Sequence, residues 1–220
     1  MTESTPLPLP FGHVTTWVFD LDNTLYPSHV RLFDQIEVRM RDYVARTLRV
    51  DHAEADRLRA HYWQTHGTTL AGLMREHAID PDPFLEHVHD IDFSVLPRDA
   101  TLADRIARLP GRRIVYTNGT APYAARVLDA RGLSHVFDAI YGVEHAGYHP
   151  KPDPAAFDTV FAKDRLVPSR AAMFEDEPRN LAVPHELGMA TVLVADTRPR
   201  GEHIHHHTRD LSDFLAQIVD

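Results

Sequence analysis

The sequence predicts an α/β fold: a Rossmann-like, doubly wound parallel sheet core carrying an inserted all-helical cap. Three observations lead there. An isolated apolar run near the start stops abruptly at an aspartate, a long stretch of purely helical periodicity follows, and the remainder alternates short apolar runs with helical segments. Repeated αβ units of that kind close into a parallel sheet with helices on both faces.

Residues 1–13 hold prolines at 6, 8 and 10 and no periodicity, so a flexible lead-in is expected. Residues 14–19 read Val-Thr-Thr-Trp-Val-Phe, β-branched and aromatic, and predict a buried strand ending at Asp20. Leu32, Ile36, Met40, Val44 and Leu48 then recur every four residues, with Phe33 and Tyr43 widening the stripe, which is the pattern of an amphipathic helix. Asp51 followed by Glu54 resembles a capping box and opens a second helix through Trp63. Gly67 interrupts, and shorter helical pieces are expected over 70–77 and 83–89. Residues 26–95 therefore form the cap, and residues 14–25 with 96–220 form the core.

In the core, helices are expected over 100–109, 121–131, 154–163 and 178–187, and strands over 113–116, 139–143, 171–174 and 191–194. Gly111, Gly132 and Gly188 stand just past helices as left-handed caps, and Asp153 before Pro154 is an N-cap followed by proline at the first helical position. The residues after Thr208 close the chain as a helix.

Composition narrows the function. There are 32 acidic against 23 basic side chains, a net charge of −9, which argues against a non-specific binder of nucleic acid polymers. The 43% hydrophobic share supports a real core. No apolar run approaches the roughly 18–20 residues of a membrane helix, and no charged-then-apolar leader opens the chain, so no membrane association is expected. Zero cysteines exclude disulfides and thiolate chemistry and fit a cytoplasmic location. Among 16 histidines, His203 and the run His205, His206 and His207 stand out. Scattered surface histidine is the ordinary reading, a metal site the alternative.

Doubly wound sheets take their ligands at the carboxyl ends of the strands. Those ends carry Asp20 and Asp22, then Thr117, Asn118 and Gly119, then Lys151, then Glu175, Asp176 and Glu177. Carboxylates gathered at one edge call for a positive charge there, and oxygen ligands without cysteine favour Mg²⁺. A lysine and a hydroxyl directed to the same place suit a phosphoryl group. Each has an ordinary reading as well: the aspartates as turn caps, the acidic run as a helix N-terminus, Lys151 as a solvated loop charge and Thr117 as a β-branched core residue.

Together, Asp20-Leu21-Asp22-Asn23-Thr24-Leu25, Tyr116-Thr117-Asn118-Gly119, Lys151-Pro152-Asp153 and Glu175-Asp176 resemble the four motifs of the haloacid dehalogenase-like (HAD) hydrolases. More narrowly, the continuation to Tyr26-Pro27, the run Gly67-Thr68-Thr69-Leu70, and Phe174 to Asp176 with Arg179-Asn180-Leu181 resemble the pyrimidine 5′-nucleotidase branch. The resemblance implies that Asp20 attacks phosphorus, and that Asp22 protonates the leaving oxygen and then activates water. It implies Mg²⁺ held by the Asp20 carboxylate, the Asp22 backbone carbonyl and Asp176, with Glu175 close by. Thr117, Lys151 and the amides around Asn118 and Gly119 would stabilise the phosphoryl oxygens, while Tyr26, Thr68 and Thr69 are candidates for substrate contact or for structural roles in the cap. The partner implied is a small phosphorylated metabolite, a nucleotide first. Alternatives are a phosphatase or mutase acting on sugar phosphates or other small esters, a 2-haloacid dehalogenase, and a non-catalytic binding module. A dehalogenase needs neither a metal nor a proton donor, so Asp22 and the Glu175-Asp176 pair argue against it.

Overall fold

The computed structural model describes residues 11–220; residues 1–10 of the expected lead-in lie outside the described residues. Six strands form one parallel sheet: β1 Thr16–Phe19, β2 Arg112–Tyr116, β3 Ala139–Tyr141, β4 Ala171–Glu175, β5 Ala190–Val194 and β6 His206–Thr208. Their order is β3-β2-β1-β4-β5-β6, so the expected α/β fold is found. The winding direction reverses between β1 and β4, and the crevice at that reversal is where such sheets take ligands.

Side chains alternate across the sheet. Trp17, Phe19, Val115, Phe174 and Val192 face one layer, while Val18, Ile114, Met173 and Leu193 face the other. Phe19 stacks on its register partner Phe174 at 4.6 Å. The first layer is closed by α5 Ala100–Arg108, α6 Ala121–Arg131 and α9 Leu211–Val219, the second chiefly by α7 Pro154–Asp164. Burial on both faces is why the central strands read as continuous apolar runs.

Between β1 and β2 the chain builds a helical region: α1 Leu32–Leu48, α2 His52–His66, α3 Thr69–His77 and α4 Pro81–Val88. Helix α1 packs on α2 and α4, and α2 packs on α3. The stripe read from the sequence is the buried one, with Leu32, Ile36, Tyr43 and Val44 inside. Asp51, Thr68 and Asp80 cap α2, α3 and α4 by accepting a backbone N–H. Among the described residues no helix is long and apolar enough to cross a membrane.

Four features differ from expectation. Helix α2 runs on to His66, ending at Gly67 with φ +91°, and its capping box is only half made: Glu54 N–H donates to Asp51 at 2.8 Å, but the Glu54 carboxylate turns to Arg57. The helix expected over 178–187 splits into a 3-10 turn, Pro178–Leu181, and a short α8, Ala182–Glu186. Pro184 explains this, because it has no N–H to give the carbonyl of Asn180 and an α-helix started at Pro178 would need that bond. Strand β6 was not expected. It forms from the histidine run, with His206 against Phe11 and Phe214, and His207 Nε2 at 2.8 Å from the Ala195 carbonyl. Phe11, inside the expected flexible lead-in, is buried against Trp17 and Phe214.

Candidate active site

The strand ends bring the charged groups together. The Asp20 N–H donates to the Phe174 carbonyl at 2.9 Å, tying the end of β1 to β4. The Lys151 ammonium donates to Asp20 Oδ1 at 2.7 Å, Glu175 Oε2 at 2.6 Å and the Tyr116 carbonyl at 3.1 Å, which uses all three of its protons. All three charged groups are buried. Burial alone would lower the Lys151 pKa, but Asp20 and Glu175 together raise it above the ordinary lysine range, so it stays charged. Burial and then the Glu175 charge push Asp20 up to about 8, against the pull of Lys151.

Asn118 holds the lysine's own peptide. Its Nδ2 donates to the Lys151 carbonyl at 3.1 Å, and its Oδ1 accepts the Lys151 N–H at 2.8 Å, in a loop where the Lys151–Pro152 bond is cis. Thr117 Oγ1 accepts the Gly119 N–H at 2.9 Å, leaving the hydroxyl proton free to donate elsewhere. A side chain at Gly119 would meet the Tyr123 ring, because its Cβ would lie 2.8 Å from Cδ1.

Asp22 is held from two sides. The hydroxyls of Tyr26 and Tyr123 both donate to its Oδ1 at 2.6 Å. Burial raises the Asp22 pKa, and the two phenols oppose that rise. Tyr26 is therefore not where a substrate contact needs it: it is fully buried, lies outside the cavity lining, and spends its hydroxyl on the carboxylate four residues earlier.

Asp20, Glu175 and Asp176 each offer a carboxylate oxygen, all within 4.8 Å of one another, the sole group of potential metal ligands so assembled among the described residues. Asn23 donates to Asp176 at 3.2 Å and Asn180 to Glu175 at 3.2 Å. Burial, then the Glu175 and Asp20 charges, push Asp176 up to about 9. Lys151 reaches only two of the three carboxylates, and the repulsion among them that raises Asp20 and Asp176 favours a further cation; an all-oxygen donor set of this kind fits a hard divalent one. The Asp22 carboxylate is not part of this group. The histidine run holds no comparable cluster among the described residues; His205 instead accepts from the Thr191 N–H.

A cavity of about 570 Å³ opens from these groups toward the helical region. Thr117, Asn118, Gly119 and Lys151 line its sheet side, and Thr68 and Thr69 its helical side. Thr68 is partly committed, since its Oγ1 caps α3 by accepting the Ala71 N–H at 3.1 Å. Beyond them the lining mixes apolar Phe33, Ile36, Met40, Phe84 and Val88 with the charged Glu37, Asp56 and Arg59, which pair with one another. Arg179 crosses from the sheet side, donating to the Trp63 and Gly67 carbonyls at 3.0 and 2.8 Å and stacking over the Trp63 ring at 3.8 Å.

Sequence reading did not single out Tyr123, Asn23, Asn180, Arg179 or His89 as site residues. Asn23, Arg179 and Asn180 lie inside the motif segments, so proximity to the carboxylates was an available signal. Tyr123 and His89 carried none, because each reads as an ordinary member of a helix.

With this geometry in view, the class is defined: the chain belongs to the haloacid dehalogenase-like hydrolases, whose family description matches residues 14–188. Among particular proteins, it is 26% identical over 240 residues to phosphate metabolism protein 8 of Saccharomyces cerevisiae, covering 97% of this chain and 73% of that one. CbbY from Rhodobacter sphaeroides, in complex with xylulose-(1,5)bisphosphate, is similar in fold at TM-score 0.64 and 19% identity, over 93% of this chain and 99% of that one. So is the HAD-hydrolase YfnB from Bacillus subtilis bound to magnesium, at TM-score 0.61 and 15% identity, over 93% and 98% of the two chains.

Proposed function

We propose that the chain is a Mg²⁺-dependent phosphatase of nucleoside 5′-monophosphates, pyrimidine ones foremost, working through an aspartyl-phosphate on Asp20. The observation that carries this reading is the joint presence of a lysine-bridged Asp20, a three-carboxylate cluster and a separately held Asp22 at one crevice. A carbon–halogen hydrolase would use Asp20 but has no work for the other two. The relatives in complex with xylulose-(1,5)bisphosphate and with magnesium agree with that chemistry. The nucleotide preference rests on the resemblance of the Asn23–Pro27, Gly67–Leu70 and Arg179–Leu181 segments, and the cytoplasmic setting on the absence of cysteine.

In this mechanism an Asp20 oxygen bonds to phosphorus while the ester P–O bond breaks, and the departing oxygen takes a proton from Asp22. Water then attacks the phosphorus of the acyl phosphate, gives its proton to Asp22, and frees phosphate and the Asp20 carboxylate. Thr117 and the backbone amide of Asn118 bind the phosphoryl oxygens directly, while the Lys151 ammonium and the Gly119 N–H reach them by giving up one of the bonds they make within the site. Asp20, the Asp22 carbonyl and Asp176 would hold Mg²⁺, with Glu175 beside them; when bound, the ion offsets negative charge on the transferring group. Residues 26–95 act as a cap that covers the transfer and shuts out water.

The test is phosphate release from UMP, CMP, AMP, GMP and sugar phosphates, with Mg²⁺ and with EDTA. UMP and CMP are expected to show the highest kcat/KM, and EDTA to stop turnover. Full activity in EDTA overturns the metal requirement. Equal purine and pyrimidine values, or preference for a sugar phosphate, overturn the nucleotide assignment.

A further inference from the structure

Asp22 is gripped unevenly. Tyr26 and Tyr123 both donate to Oδ1 at 2.6 Å, while Oδ2 takes no hydrogen bond among the described residues. Tyr26 comes from the loop after β1 and Tyr123 from α6, so the grip closes across two separate segments. Burial alone does not force such pairing: the hydroxyl of Tyr116, equally buried, has no partner among the described residues.

The face of Tyr123 is covered by a residue of the helical region. The His89 ring lies 4.2 Å from it, with planes 7° from parallel. His89 ends α4, is buried, and lines the cavity. It is also tied to the segment that carries Tyr123: Thr120 Oγ1 lies 3.3 Å from its Nδ1, and Arg126 donates to its carbonyl at 3.3 Å. A shift of α4 relative to the sheet thus bears directly on the Tyr123 ring.

We propose that Tyr26, Tyr123 and His89 are positioning residues for the proton donor: the two phenols hold Asp22 by Oδ1 so that Oδ2 faces the leaving oxygen, and His89 makes that grip depend on where the helical region sits. The proposal rests on Asp22 being the general acid. The division of labour between its oxygens suits a group that is a neutral acid in one half-reaction and a carboxylate in the next. Oδ1 accepts from the phenols in either state, while the proton travels on Oδ2.

Phenyl phosphate and p-nitrophenyl phosphate test this, since they are alike in shape and differ in how much the leaving oxygen needs a proton. The readout is kcat/KM of the Mg²⁺-loaded full chain, which reports transfer to Asp20. Tyr123→Phe should lower the phenyl phosphate value roughly tenfold and the p-nitrophenyl value less than about twofold. Tyr26→Phe, on the other side of the grip, should behave alike and supplies the comparison if Tyr123→Phe does not fold. His89→Ala should show a smaller loss of the same selectivity, with no further loss when combined with Tyr123→Phe. Equal slowing of both esters by the phenylalanine variants overturns the positioning role, and an additive loss in the double variant overturns the route from His89 through Tyr123. Asp22→Asn separates the two levels. If it slows both esters equally, the general-acid reading fails and takes the proposal with it. If it is selective and Tyr123→Phe is not, the general acid stands and the positioning role alone falls.

Discussion

The two walls of the cavity are built on opposite terms. On the sheet side nearly every polar group is committed to another, often far along the chain: Lys151 to Asp20 and Glu175, Asn118 to the Lys151 peptide, Tyr123 to Asp22. On the helical side apolar side chains alternate with a local Arg59–Asp56–Glu37 group, and the hydroxyls come from Thr68 and Thr69 on one turn. The first wall fixes atoms to within hydrogen-bond distances, as bond making requires. The second supplies shape and dryness, which tolerate more variation. Substitutions on the sheet wall should therefore strike the chemistry, and those on the helical wall the choice of substrate.

The harshest test is Asp20→Asn, which should abolish phosphate release from every ester alike while the circular dichroism spectrum is kept. Retained turnover would place the nucleophile elsewhere. Next is Lys151→Met, which leaves two buried carboxylates without their cation and should cost about 3–5 kcal/mol of stability as well as activity, read from urea midpoints. A surface-like loss below about 1 kcal/mol would mean that the lysine is far less confined than its contacts indicate.

His89 sharpens the comparison at the seam between the walls. Burial, then Arg126, pulls its pKa from the ordinary 6.5 down to about 4. The unfolded chain binds that proton first, so the stability linked to His89 is complete above about pH 6.5 and is lost as pH falls through about 4, worth up to about 3 kcal/mol. His89→Gln should flatten that part of the stability curve, and an unchanged curve would show the ring protonating freely in the folded state.

The smallest effects belong to the threonines. Thr68→Val loses the cap on α3 and should cost about 1 kcal/mol, whereas Thr68→Ser should restore it. Thr69→Val should leave stability almost unchanged. Both valine variants should narrow the kcat/KM gap between UMP and AMP while p-nitrophenyl phosphate turnover survives. A gap that closes only with Thr68→Val would trace to the cap rather than to contact with a base.

Most of the fold was legible because its elements obey one local rule each. β1 is apolar on both faces, α1 carries a period-four stripe, and α6 ends on a left-handed glycine, Gly132. The strand-end carboxylates and Lys151 were legible for a related reason, since sheet topology sends all strand ends to one crevice. What stayed hidden needed knowledge of a distant partner. Nothing in the period of α6 marks Tyr123 as anything but core, and its hydroxyl meets an aspartate 101 residues away. Strand β6 reads as polar, because its histidines gain their apolar neighbours Phe11 and Phe214 only in three dimensions. The break at Pro184 was readable in principle; the missing N–H falls at a position where an uninterrupted helix could not spare it.

The position of β1 also sets an order of events. Thr16 pairs with Arg112 on one side and Ala171 on the other, so the strand that carries Asp20 emerges first from the ribosome and waits longest for its neighbours. Helices α1 to α4 make their most numerous contacts with one another and so can begin to condense while the rest is still being synthesised. β1 has no partner until β2 is made, and one of its edges stays open to mispairing with another chain until β4 arrives, late in translation. Slower elongation over the segment between β1 and β4 would lengthen that exposure, making the yield of folded protein depend on the pace of synthesis as much as on the final stability.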